Sequence, residues 1–123
     1  MSVFLNCLAV GGGGACGAVC RYLLGLLPLN HGSFPLSTLM INVLGSFLIG
    51  IVIACGGKAL AADPRLILFL QAGFCGGFTT FSAFANETFV LLESGRFVPA
   101  ILYVTLSVVL CVAAVFLARF FIR

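Results

Sequence analysis

Four long apolar runs, separated by short turn-rich linkers, take up almost the whole of this 123-residue chain. They cover roughly residues 3–27, 36–55, 66–92 and 98–122. A helix needs about 20 apolar residues to cross a hydrocarbon core of about 30 Å, and each run meets that length. The runs are continuous rather than alternating, so membrane strands are not expected. Charged residues make up 7% of the chain and hydrophobic ones 63%, whereas a soluble domain carries about one quarter charged residues. Six Lys/Arg and three Asp/Glu side chains cannot build a water-exposed surface. Lipid is therefore the expected solvent for most of it. The expectation is a single all-α transmembrane domain over residues 1–123.

The first run has no basic stretch before it and continues past Arg21 to Leu27, so it reads as the first helix rather than a targeting peptide. The linkers carry Asn30, His31 and Gly32, then Gly56, Gly57, Lys58, Asp63 and Pro64, then Glu93-Ser94-Gly95-Arg96. Such short linkers make sequence neighbours antiparallel and put both termini on one side. Lys58, Arg65, Arg119 and Arg123 fall on that side, Arg21 and Arg96 on the other. Orientation follows the Lys/Arg bias, which is modest here, so insertion one way and insertion both ways both remain open. The net charge of +3 is small and scattered. It gives no sign of nucleic-acid binding, and anionic lipid headgroups account for it.

The six cysteines, Cys7, Cys16, Cys20, Cys55, Cys75 and Cys111, all lie in apolar stretches and form no C-x-x-C pair. They read as small buried hydrophobes rather than a disulfide framework. His31, the only histidine, cannot make a metal site alone. The chain has no evident nucleophile–base pair, paired carboxylates or metal-ligand cluster, so an enzyme is not expected.

The informative residues are polar ones inside the apolar runs, where each costs free energy unless it finds a partner. The second run has Thr38 and Asn42, four apart and on one face. The third has Gln71, Thr79, Thr80, Ser82, Asn86, Glu87 and Thr88. The fourth has Tyr103, Thr105 and Ser107, with Tyr103, Ser107 and Cys111 forming a stripe at i, i+4, i+8. Isolated hydroxyls of this kind usually bond to their own helix carbonyls. Asn42 carries two donors and two acceptor sites, and both a helix-bridging role and an ion-path role are open for it. For Glu87 the expected role is an ion pair with an arginine near the membrane surface.

Gly13 and Gly17 form a G-x-x-x-G pair, as do Gly73 and Gly77, and Ser46, Gly50 and Ala54 form a row of small residues. Such surfaces let helix backbones approach. Together with the polar faces they argue for self-association. The stretch from Gly73 to Phe84, with Gly76-Gly77 followed by Thr79-Thr80, is poor helix-forming sequence. One reading is a broken helix whose freed backbone groups can hold ions; the other is an intact helix with glycines for packing. Phe81 and Phe84 share a face. With 13 phenylalanines in the chain, lipid or core contact is the ordinary reading. Their electropositive ring edges can also face an anion without trapping it.

These pieces together resemble the CrcB/Fluc family of fluoride channels. The matching residues are Gly11-Gly12-Gly13-Gly14-Ala15-Cys16-Gly17 with Arg21-Tyr22, then Asn42-Val43-Leu44-Gly45-Ser46-Phe47. They continue with Gly73-Phe74-Cys75-Gly76-Gly77-Phe78-Thr79-Thr80-Phe81-Ser82-Ala83-Phe84, Glu87, and Glu93-Gly95-Arg96. The match spans nearly the whole chain. The resemblance implies four transmembrane helices with the third broken near its middle, in a dual-topology antiparallel homodimer of a cell (inner or plasma) membrane. It also implies two fluoride pores, each lined by both subunits, for passive export that relieves fluoride toxicity. By this resemblance Phe81 and Phe84 match the phenylalanines whose edges face fluoride, and Asn42 the asparagine that donates to it. Thr38, Tyr103 and Ser107 match the polar track, and Arg21 the basic residue near the aqueous entrance. A structural Na+ on the dimer axis would take backbone carbonyls of Gly76 and Thr79. Two positions depart from the family pattern. Ala83 stands where Thr is common. Cys111 stands where the track often continues with serine, and its thiol is the weaker donor.

Such residues suit fluoride, a small anion whose water is expensive to strip. A pore must replace that water at each step yet release the ion. Hydroxyls, an amide and ring edges do so without a fixed positive charge. Two rival readings remain. A proton-coupled exporter of organic cations needs a deep acidic residue, for which Glu87 is the candidate in the third run. A non-transporting subunit of a larger complex has no use for an intramembrane polar track.

Overall fold

The computed structural model describes residues 1–56 and 63–122. Among them, four helical spans are long and apolar enough to cross a membrane, of 24, 21, 30 and 25 residues. They are α1 (Ser2–Gly25), α2 (Leu36–Gly56), the third span (Pro64–Glu93) and α4 (Phe97–Phe121). The third span is in two halves, α3a (residues 64–78) and α3b (Phe81–Glu93), divided by Thr79 and Thr80 in extended conformation. The expected break is therefore present. The expected charges Lys58 and Arg123 lie outside the described residues.

Packing follows the small residues. A Cβ on Gly13 would overlap the Phe69 carbonyl oxygen, and one on Gly17 the Phe74 carbonyl oxygen. From the other side, a Cβ on Gly77 would overlap the Gly14 carbonyl oxygen. The two G-x-x-x-G pairs thus face each other, and α1 lies backbone to backbone on α3a, running parallel to it. Gly50 likewise admits α4, where its Cβ would stand 2.7 Å from Ala118 Cβ. Of the row of small residues on α2, Gly50 serves this contact and Ser46 lines the cavity described below. These surfaces, expected to drive self-association, are used within one chain, because close backbone approach joins helices of the same bundle as readily as those of two.

Where α3a meets α1 it winds as a π-helix over Phe69–Cys75, an irregularity frequent at functional sites. Asp63 begins α3a, accepting from the Arg65 amide at 2.9 Å, with Pro64 at the first helical position. Gly95, at φ +72°, ends α3b. The Arg96 amide bonds to Leu91 O at 2.9 Å and the Gly95 amide to Leu92 O at 3.0 Å, satisfying the last carbonyls in a left-handed cap. Arg96 Nη1 then donates to Ser33 Oγ, tying this turn to the α1–α2 linker. On the same side Asn30 Oδ1 accepts from the Ser37 amide at 2.9 Å and caps the start of α2.

A small core of Leu39, Leu91, Ala100 and Tyr103 lies at that end, with Phe34, Leu36, Val43 and Phe84 against it. Of the six free cysteines only Cys75 is buried within the chain, and Cys7 and Cys16 face outward. The expectation of buried thiols is corrected here. In a membrane protein an apolar thiol can face outward on a lipid-compatible surface.

Candidate functional site

The site begins at the break. Thr79 closes α3a, its amide bonding to Cys75 O at 3.0 Å and its hydroxyl to the same oxygen at 2.9 Å. The next amide, that of Thr80, leaves the helix and donates to Asn42 Oδ1 at 2.8 Å. Asn42 Nδ2 donates back to Thr80 O at 3.1 Å. Thr80 Oγ1 accepts from the Ala83 amide at 3.2 Å and so caps α3b. In an unbroken helix the Thr80 amide would bond to Gly76 O and the Ala83 amide to Thr79 O. Both donors are engaged elsewhere, which frees from these helical bonds the two carbonyls that the resemblance implies as Na+ ligands. Arg21 Nε donates to a third, Gly77 O, at 3.1 Å. Its positive charge suits the carbonyl end of α3a.

Beside the break is a cavity of about 500 Å³. Asn42, Gly45, Ser46 and Ile49 line it from α2, and Ser107, Val108, Cys111 and Val112 from α4. From the third span come Gln71, Cys75, Gly76, Thr79, Thr80, Phe81 and Phe84. Among the described residues its walls are mostly apolar and carry no ionised side chain. Ser107 Oγ is buried and has no hydrogen-bond partner among the described residues. Leaving such a hydroxyl unmatched costs about 1–3 kcal/mol, and it stands in the cavity wall. Phe81 is 79% exposed within the single chain, and its ring centroid lies 5.3 Å from that of Phe84.

Behind Phe84 lies a second polar group centred on Glu87. Thr38 Oγ1 donates to Glu87 Oε1 at 2.7 Å, and the Tyr103 hydroxyl to Glu87 Oε2 at 2.6 Å. Short bonds to a carboxylate are among the stronger ones in proteins. The expected ion pair between Glu87 and an arginine is not what forms, because hydroxyls on α2 and α4 reach the carboxylate first. Tyr103, fully buried, stacks edge-on with Phe34 at 5.6 Å and tilted with Phe84 at 5.2 Å.

The structure therefore gathers Asn42, Phe81, Phe84, Ser107, Gly76 and Thr79 around one cavity. Thr38 and Tyr103 join through Glu87 on the far side of Phe84. Arg21 stands apart, on the α1 side of the break. Sequence reasoning missed Glu87 as the joining residue, although its place three residues after Phe84 puts it on the same helical face. It also missed Gln71 and Cys75 as wall residues; the π-helical turn that carries them gave no sequence signal. Thr88, which bonds to Phe84 O at 2.8 Å, satisfies itself on its own helix as expected.

A family model described as CrcB-like protein, Camphor Resistance (CrcB), matches residues 8–119. A protein of Elusimicrobium minutum named fluoride-specific ion channel FluC is 44% identical over 120 residues, covering 94% of this chain and 92% of its own. Proteins of the same name from Shewanella piezotolerans and Geobacter sulfurreducens are also similar. The first is 45% identical over 116 residues, 93% of each chain. The second is 48% identical over 106 residues, 85% of this chain and 86% of its own.

Proposed function

This chain belongs to the CrcB-like family, and on that premise we propose that it is a fluoride-selective ion channel that lets fluoride leave the cell passively and so relieves its toxicity. It is a multi-pass membrane protein, and its relatives are named as ion channels rather than enzymes. The observation that carries the reading is the cavity at the break. It offers a dehydrated anion the Asn42 amide, the Ser107 hydroxyl and the Phe81 ring, with no lysine or arginine among the described residues of its wall to trap the ion. Weak donors in series replace hydration while still allowing release.

The conducting unit in this reading is a dual-topology homodimer, two subunits inverted relative to each other, with two pores each lined by both. The support is the Gln71 side chain, an exposed polar group in a membrane span, which lipid cannot match and a second copy would cover. Thr38 and Tyr103 continue the path past Phe84. They give their hydroxyl hydrogens to Glu87, so Glu87 must release them before they can donate to an anion. Arg21 holds the break from the α1 side and draws anions toward it.

A structural Na+ fits the break. Gly76 and Thr79 present carbonyls whose helical donors are bonded to Asn42 and Thr80 instead. Hard oxygen ligands at a helix carbonyl end suit a hard cation. Bound there, the ion would be held by the Gly76 and Thr79 carbonyls and would supply positive charge at the break.

The cellular test is fluoride tolerance. A fluoride-sensitive bacterial host lacking its own exporter should regain growth in fluoride medium when this chain is present in its membrane. Unchanged sensitivity, with the protein detected in the membrane, would overturn the proposal.

A further inference from the structure

We propose that Asn42 is a positioning residue that keeps the third span broken, its side-chain amide standing in for the backbone partner that Thr80 has lost. The two bonds are reciprocal, 2.8 Å from the Thr80 amide to Oδ1 and 3.1 Å from Nδ2 to Thr80 O. A peptide group in a neighbouring strand would pair with Thr80 in the same way. The orientation of the amide is fixed by its partners, since an N–H needs an acceptor and a carbonyl a donor.

Without this partner, the Thr80 amide would be left unmatched in an apolar span, at a cost of about 1–3 kcal/mol. The nearest remedy is the helical bond to Gly76 O. Asn42 makes that bond unnecessary and so frees Gly76 O. The neighbouring turn of α2 supports the arrangement: a Cβ on Gly45 would overlap Thr79 Cγ2, so α2 enters the break with its amide and its bare glycine side by side.

The consequence for the cavity is metric. Two extended residues rise about 3.3 Å each and two helical ones about 1.5 Å each. Closing the break would draw α3b toward α3a by roughly 3–4 Å and turn it, carrying Phe81 and Phe84 off the cavity. Asn42 donates only one of its two amide hydrogens to Thr80, so it can clamp the break and face the cavity at once. The assignment does not depend on which ion passes.

The test is backbone conformation, not flux. The full chain, labelled at threonine and glycine and reconstituted in bilayers, is followed by solid-state NMR. The native Thr80 Cα and Cβ shifts should lie in the extended range. In Asn42→Leu they should move to the helical range, with a matching change at the Gly76 carbonyl. In Asn42→Asp, which keeps an acceptor for the Thr80 amide, they should stay extended. Extended shifts at Thr80 in Asn42→Leu would overturn the proposal. Should that variant fail to assemble, Asn42→Ala, which also removes the acceptor, takes its place: a helical Thr80 there upholds the proposal and an extended one overturns it.

Discussion

The Phe84 ring packs tilted against Tyr103, with centroids 5.2 Å apart and planes at 49°. The contact lies between two polar groups of the molecule. On one side of Phe84 is the cavity with Asn42, Phe81 and Ser107; on the other are Tyr103, Glu87 and Thr38.

Phe81→Ile and Phe84→Ile should both slow fluoride passage by about tenfold or more, since an edge contact of about 1.5 kcal/mol corresponds to about a factor of ten in rate. They should differ in stability. Phe81 is exposed in the subunit and Phe84 packs on Tyr103, so only the second change should lower the melting temperature. Flux assays paired with thermal unfolding check both. Native flux in both variants would remove the rings from the path.

Ser107→Ala separates stability from function. It deletes a buried hydroxyl that has no partner in the subunit, so stability should hold or rise by about 1 kcal/mol. Fluoride flux should fall. A loss of stability with unchanged flux would mean that the hydroxyl serves the fold.

Glu87→Ala strands the buried Tyr103 hydroxyl and the Thr38 hydroxyl. It should destabilise the protein by about 1–3 kcal/mol. Tyr103→Phe, which leaves the carboxylate with Thr38, should cost less. Melting of the purified protein in detergent reads the difference, and equal melting of the native chain and Glu87→Ala would contradict the hydrogen-bonded arrangement.

Gly13→Ala should prevent proper packing of α1 on α3a, with a loss on the order of 3 kcal/mol from overpacking. Gly11→Ala is the control. A Cβ there meets nothing within 4 Å, and the gain in helix propensity is about 1 kcal/mol. Yield of monodisperse protein and melting temperature should move in opposite directions for the two.

Much of this was legible in the sequence because bilayer thickness fixes helix length. The four spans and their linkers follow from the apolar runs alone; Gly76-Gly77 beside Thr79-Thr80 left a broken and an intact third helix both open, and only the family resemblance implied the break. What the runs do not carry is which face meets which helix. The facing of Gly13 and Gly17 against Gly73 and Gly77, inside one chain, depends on tertiary register. So does Glu87, whose partners Thr38 and Tyr103 come from two other helices. The π-helical turn at Phe69–Cys75 arises where α1 and α3a meet, and no local residue pattern announces it.

The most direct test of the central claim is ion efflux from liposomes that contain only this protein, read with ion-selective electrodes for fluoride and for chloride. A rapid fluoride release with chloride retained is the expected result. Fluoride kept inside, or both halides released alike, would contradict the account.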